Sequence, residues 1–445
     1  MPNPSARQHR AATLLALALV AATTLAVGPG GSLTVARPGP LLTFEAPMRL
    51  GAPMGNDWEP ALAAGERGHV YVMWKHYDVP GAEITGCGDP TGCDRRILVQ
   101  RSTDGGRTFG SPIAVDPGHV DYDSQIVVDP VDDRTAYGSF LVDTKSSIGF
   151  VKSTDGGATW SPTVIVEPLI KATDKDILAA RGSDVYIAYN SYQKTYVSAS
   201  HDGGRTWSTA LTSLQAQGKL GWALPAGGAV APNGDIFFAW SGYERNGGAK
   251  GPVNLYVTRS ADGGSTWQTI LVDRSETGPS CGCGAWAFYN AQMTLAVDAS
   301  GRLYVLYNFN SSPYAPGRIR YRSSSDGGAT WSPPLDVSLA ATGANNVFPA
   351  IATSGASGVR VAWMDDRTGS FRVYLRASSD GGATWGPESV LSADLGFPYQ
   401  SAAGFAFPFG DYFELEVSPA GKTLATWGEG PSFDGPGNVF FAAEK

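Results

Sequence analysis

Carboxylates and aromatic rings recur together along this chain. They stand in Asn56-Asp57-Trp58-Glu59, Asp121-Tyr122-Asp123, Asp174-Lys175-Asp176 and Asp411-Tyr412. Tyr77, Trp286, Tyr289, Asn346, Asp365-Asp366-Arg367 and Glu429 extend the set. Paired carboxyl groups can act as general acid and general base, and aromatic rings give sugar rings a surface to stack on. Asp57, Asp174, Asp365, Arg367, Tyr412 and Glu429 are the candidates for catalytic roles. Trp58, Glu59, Tyr77, Asp123, Trp286, Tyr289, Asn346 and Asp411 are the candidates for ligand contacts. At least half of these groups are expected instead to cap strand ends and satisfy loop N–H groups. The acids outnumber the arginines, which suits a neutral sugar, a cationic group or a calcium ion.

Something must bring such scattered residues to one place. An eight-residue pattern, Ser-x-Asp-Gly-Gly-x-Thr-aromatic, recurs six times, centred on Asp104, Asp155, Asp202, Asp262, Asp326 and Asp380. The intervals are 51, 47, 60, 64 and 54 residues. Asp followed by Gly-Gly suits a tight turn that needs positive φ and a side chain to accept backbone N–H groups. Ser and Thr hydroxyls can satisfy further backbone groups, and the aromatic can fold over the turn. The six aspartates therefore read as structural.

The flanks repeat as well. An alternating strand precedes each turn (ILVQRS, IGFVKS, TYVSAS, LYVTRS, IRYRSS, VYLRAS) and a shorter strand follows it. Two more apolar runs lie upstream, as in PALAA then HVYVMW. Four short strands in each period of about 50 residues make one blade of a β-propeller. Six blades cover residues 57–393. The tail adds three strands (YFELEVS, TLATWGE, NVFFAAE), and LLTFEAPMRL at 41–50 can supply a fourth. The expected fold is all-β, a seven-bladed propeller of four-stranded antiparallel blades closed by residues 41–50. A six-bladed ring with a C-terminal hairpin is the alternative. In either ring, the links between blades and between second and third strands open on the face opposite the repeated turns. The candidate residues fall on that loop face.

Bulk properties narrow the function class. A formal charge of −8 disfavours nucleic acid and anionic membrane as partners. Arg7, His9 and Arg10 followed by an apolar stretch at 11–27 read as an export signal, cleaved after Ala26. An uncleaved anchor is the alternative. Residues 27–40 read as a flexible spacer, and 41–445 as one propeller domain. The expected product is a secreted monomer. Cys87, Cys93, Cys281 and Cys283 are an even count in an exported chain, which favours disulfides. Cys87 and Cys93 share a Gly-rich loop and can pair. Cys281 and Cys283 would form a strained bond or hold a soft metal. No cofactor is called for.

The six repeated turns, one per blade, resemble the Asp boxes (bacterial neuraminidase repeats) of the sialidase superfamily. The resemblance covers about 350 residues and is specific for architecture. Trp363-Met364-Asp365-Asp366-Arg367 and Gly410-Asp411-Tyr412 are similar to stretches of secreted sialidase-like bacterial proteins. The resemblance implies a secreted carbohydrate-active protein, a glycoside hydrolase acting on an extracellular glycan, or else a non-catalytic propeller that binds glycan or protein. Sialidases hold the substrate carboxylate with three arginines, one in an Arg-Ile-Pro type motif near the first blade. That motif is absent. Arg49 and Arg95-Arg96 do not match it, and the family's tyrosine, glutamate and aspartate cannot be placed by motif. Weak or no activity on sialosides is expected.

Overall fold

The computed structural model describes residues 39–51, 55–77, 95–116, 121–143, 147–172, 174–212, 214, 220–245, 249–280, 289–392, 407–408, 412–431 and 437–445. The export signal and most of the spacer lie outside these residues. So do all four cysteines, Trp286 and Asp411. Among the described residues no helix is long and apolar enough to cross a membrane.

Alternating apolar residues give seven antiparallel sheets, six of four strands and a seventh to which the short strand Phe407–Pro408 is added as a fifth, the blades of a seven-bladed β-propeller. The first blade runs Asn56–Ala64, Val70–Tyr77, Arg95–Ser102 and Ile113–Ala114 from inside to outside. Five more blades of the same order follow, with inner strands Tyr122–Val128, Asp174–Arg181, Trp222–Val230, Met293–Val297 and Asn346–Ser354. The seventh blade combines Glu414–Val417, Thr423–Gly430 and Asn438–Ala443 with Met48–Leu50 from the other end of the chain. Glu45 N–H donates to Ala443 O and Lys445 N–H to Thr43 O, so the pairing extends beyond the strand. The ring is therefore closed by hydrogen bonds between its two ends, with the N-terminal segment supplying the outer strand of the last blade.

The repeated turns have one geometry. In the second blade, the Ser153 hydroxyl donates to Asp155 and accepts the N–H of Gly157. Asp155 Oδ1 accepts Thr159 N–H, and Oδ2 accepts the Thr159 hydroxyl at 2.6 Å. The second glycine of the pair has φ of +77°, and a Cβ there would lie 2.3 Å from the Tyr71 ring of the preceding blade. Glycine is required both by the turn and by the close approach of the neighbouring blade. The aromatic that ends the motif also packs backward. Trp207 meets Phe150 of the second blade edge-on at 5.2 Å, and Trp385 meets Tyr321 of the fifth at 5.1 Å.

The core lies between blades, where large apolar side chains of neighbouring sheets interdigitate. Trp74, Trp240, Trp363 and Trp427 are fully buried on second strands. Each indole N–H has a hydrogen-bond acceptor. Five inner strands carry a register shift near their start, at the loop-face end of the channel. In four of them a non-glycine residue takes positive φ there: Glu59 at 55°, Asp123 at 39°, Lys175 at 41° and Phe348 at 50°. Bulges of this kind re-aim a side chain, here around the channel mouth.

Candidate functional site

The inner strands enclose a central cavity of about 330 Å³. Glu414, Glu416, Gln125, Gln292, Lys175 and Tyr412 give it a polar lining, and Phe348 an aromatic one. Glu414 and Glu416 alternate with Phe413, Leu415 and Val417 on the inner strand of the seventh blade. The apolar three turn into the blade, and the two glutamates share the opposite, channel-facing side. Glu414 Oε2 accepts the Leu62 N–H at 2.6 Å, and Oε1 accepts the Gln125 amide at 3.1 Å. Burial raises its pKa to about 7 against the pull of those two donors. Burial, and then the charge of Glu414, raises Glu416 to about 8. Both are enclosed by protein, yet both touch the interior space of the cavity.

Several sequence candidates gather around the mouth. Lys75 lies 4.3 Å from the Tyr122 ring, 4.7 Å from Tyr77 and 5.9 Å from Trp58. Glu59 Oε2 lies 4.0 Å from its ammonium. Aromatic faces stabilise an ammonium at these distances. Lys175 stands 4.4 Å over the Tyr412 ring, so blades three and seven meet at this point. The Lys175 N–H donates to Asp123 Oδ2 at 3.2 Å. Asp174 is buried beside them.

Three buried acids surround this cluster. Asp57 Oδ1 accepts Trp74 Nε1–H at 2.7 Å and lies 2.8 Å from His76 Nδ1. Burial raises its pKa, with His76 and Trp74 pulling the other way. Asp176 bonds the Ser139 hydroxyl, and burial raises its pKa to about 8. Asp121 is fully buried, and neither of its oxygens has a hydrogen-bond partner among the described residues. Burial, reinforced by Asp116 and Asp143, raises it to about 9. A carboxyl so placed keeps its proton at neutral pH.

Other candidates are engaged within the blades. Asp365 Oδ2 accepts Trp363 Nε1–H at 2.8 Å and Arg367 Nη2–H at 2.6 Å. Arg367 also pairs with Glu388 at 2.6 Å and lies 3.9 Å over the Tyr374 ring. Glu429 accepts Trp427 Nε1–H at 2.6 Å. The Asn346 amide donates to Gly317 O and Ala344 O. Tyr289 packs against Phe371, and burial raises its hydroxyl to about 12. None of these five lines the cavity among the described residues.

Reasoning from sequence did not single out Lys75, Gln125, Glu414 or Glu416. The signal for the glutamates was present in Phe-Glu-Leu-Glu-Val, whose alternation puts both acids on one face of an inner strand. Among the described residues, no arginine lines the cavity. Among the described residues, no group of three or more His, Cys, Asp or Glu side chains is placed to hold a metal ion.

No protein-family model matches the chain. It is 24% identical over 389 residues to a sialidase from Micromonospora viridifaciens, covering 73% of this chain and 54% of that protein. The chain thus spans about half the length of the curated relative it matches. Among solved structures, a polysaccharide lyase of family PL25, an ulvan lyase bound to -[GlcA(1-4)Rha3S]-, superposes with a TM-score of 0.52. That match is 11% identical and covers 89% of this chain and 94% of the lyase. A protein of unknown function from Dyadobacter fermentans superposes at 0.50, with 14% identity over 91% of this chain and 99% of its own. These likenesses carry the fold, a seven-bladed β-propeller of sialidase-like architecture with weak sequence similarity to a sialidase.

Proposed function

We propose that this protein is a secreted glycoside hydrolase that cleaves an extracellular glycan at the channel mouth. The observation that carries the reading is the cavity itself. Two carboxyl groups face one space, Glu414 raised to about 7 and Glu416 to about 8, beside Tyr412, Phe348 and Lys175. Glycoside cleavage needs one carboxyl that still holds its proton near neutral pH and one that has lost it. In this reading Glu416 is the general acid and Glu414 the carboxylate. Tyr412 and Phe348 receive the sugar ring, and Asp123 positions Lys175 through the backbone. Asp57, braced by Trp74 and His76, supports the wall. A cavity lining without arginine favours a neutral sugar over a sialoside.

The test is reducing-end release by the purified protein from a panel of neutral polysaccharides, with sialyllactose and ulvan included. Hydrolysis of a neutral glycan, lost in Glu416→Gln while the fold persists, supports the reading. Cleavage of ulvan with ultraviolet absorbance from an unsaturated uronide would replace it with a lyase reaction, the class to which the ulvan lyase of similar fold belongs. Binding without turnover would leave a non-catalytic glycan-binding propeller. Efficient release of sialic acid would contradict the role given to the arginine-free lining.

A further inference from the structure

Two tyrosines on the loop face occupy backbone positions that suit glycine. Tyr192 is the first residue of the two-residue connection between Ser191 and Lys194 in the third blade, with φ of 57°. Tyr314 follows Pro313 in a turn closed by the Ala315 N–H donating to Ser312 O, with φ of 64°. Positive φ at such turn positions is the province of Gly and Asn, and a tyrosine there strains the backbone. The chain is rich in glycine and places it at positive φ in all six repeated turns. At these two positions it holds a large ring instead, and the rings are not buried: Tyr192 is 47% exposed and Tyr314 69%.

What surrounds them favours a sugar over a protein partner. Trp222, at the start of the fourth blade, meets Tyr192 edge-on at 6.0 Å. Its indole N–H is buried and has no hydrogen-bond partner among the described residues. The outer rim of the fourth blade, between the two tyrosines in ring order, carries Arg274 paired with Glu244 at 3.1 Å and with Glu276 at 3.5 Å. Tyr314 N–H is fixed to Thr277 O just beyond. Exposed rings set among charged groups do not make a continuous apolar patch for a protein. They do match a pyranose, with its apolar face and its rim of hydroxyls.

We propose that Tyr192 and Tyr314 are stacking platforms for outlying sugar rings, so that the ligand is an extended neutral glycan lying across blades three to five. The inference rests on the carbohydrate-active reading above and adds to it the length and path of the substrate. It also assigns the strained turns a purpose that folding does not require.

The experiment compares wild type with Tyr192→Gly, Tyr314→Gly, the double variant and the two Tyr→Phe variants. The probes are xylan, arabinan and β-glucan oligosaccharides, from disaccharide to octasaccharide, with binding read by calorimetry. Wild type should bind long oligomers more tightly than short ones of the same sugar. Each glycine variant should weaken binding of the octasaccharide about 3- to 10-fold and leave the disaccharide unchanged. Each phenylalanine variant should keep wild-type affinity, and the melting temperatures of the glycine variants should equal or exceed wild type. Length dependence that survives in the double glycine variant would overturn this inference and leave the proposed hydrolase standing. Failure of wild type to bind any of the three series would overturn both.

Discussion

The molecule carries two populations of carboxyl groups, at opposite ends of its blades, and their environments are inverted. The repeated-turn aspartates sit at the surface, where a threonine hydroxyl, a threonine N–H and a serine hydroxyl bond each one. That hydrogen bonding holds their pKa values well down, to about 2 for Asp262 and Asp326. The channel and mouth acids are buried with few or no donors. Glu414 stands at about 7, Glu416 and Asp176 at about 8, and Asp121 at about 9. A carboxylate surrounded by donors is a fastener. A carboxyl left with its proton in a cavity is a reagent.

The contrast can be broken first by mutation at the channel. Glu416→Gln should lower turnover about 100- to 10,000-fold, the span of general acid–base catalysis, with an unchanged circular dichroism spectrum. Equal turnover in the variant would remove Glu416 from the chemistry. At the other end of the blade, Asp380→Ala takes away the acceptor of the Thr384 N–H and hydroxyl. The expected loss is about 1–3 kcal/mol in denaturant unfolding, with glycan affinity per folded molecule unchanged. Weakened binding at full stability would mean that the turns do more than fasten.

Stability against pH sharpens the same contrast. The turn aspartates have folded pKa values below the unfolded 3.8, so their contribution is complete above about pH 4 and is lost as pH falls toward 2. Glu414 and Glu416 have folded values above the unfolded 4.5, so the folded chain binds more protons than the unfolded one between about pH 4.5 and 8. Their contribution is complete below 4.5 and is lost as pH rises through that window. Melting temperature should therefore decline on both sides of a maximum between about pH 4 and 5. Glu414→Gln with Glu416→Gln should make the alkaline limb shallower, leaving the part due to Asp176 and Asp121, and Asp380→Ala should leave that limb as it is. An alkaline limb of unchanged slope in the double glutamine variant would assign it elsewhere. The smallest effect expected is on sialosides, where wild type should release little or no sialic acid.

The two populations also differ in how far the sequence reveals them. A repeated turn is complete within eight residues, so its serine, aspartate, glycines and threonine can be read directly, and six copies fix the blade repeat. The environment of Glu414 is not local. Its two hydrogen-bond donors, Leu62 and Gln125, lie 352 and 289 residues away in sequence. No inspection of Phe-Glu-Leu-Glu-Val discloses them. The same limit applies to Asp365, Arg367 and Glu429, which share the loop face with the mouth residues. Only the folded chain shows that Trp363, Trp427 and Glu388 engage them within blades six and seven. The spacing of Trp363 with Asp365 and of Trp427 with Glu429 is two residues in each case, which puts ring and acid on one side of a strand. That spacing is visible in the sequence, and the hydrogen bond it makes is visible only in the fold.

Burial leaves Glu416 as a carboxyl that keeps its proton in the cavity at neutral pH. Carbon-13 NMR titration of carboxyl-labelled protein tests it directly, by comparing wild type with Glu416→Gln. Wild type should show a glutamate carboxyl that titrates near pH 8, absent from the variant, while the Glu414 resonance should still titrate near pH 7, because Glu416 keeps its proton through that step. A wild-type spectrum in which every glutamate has lost its proton by about pH 5 would contradict the account.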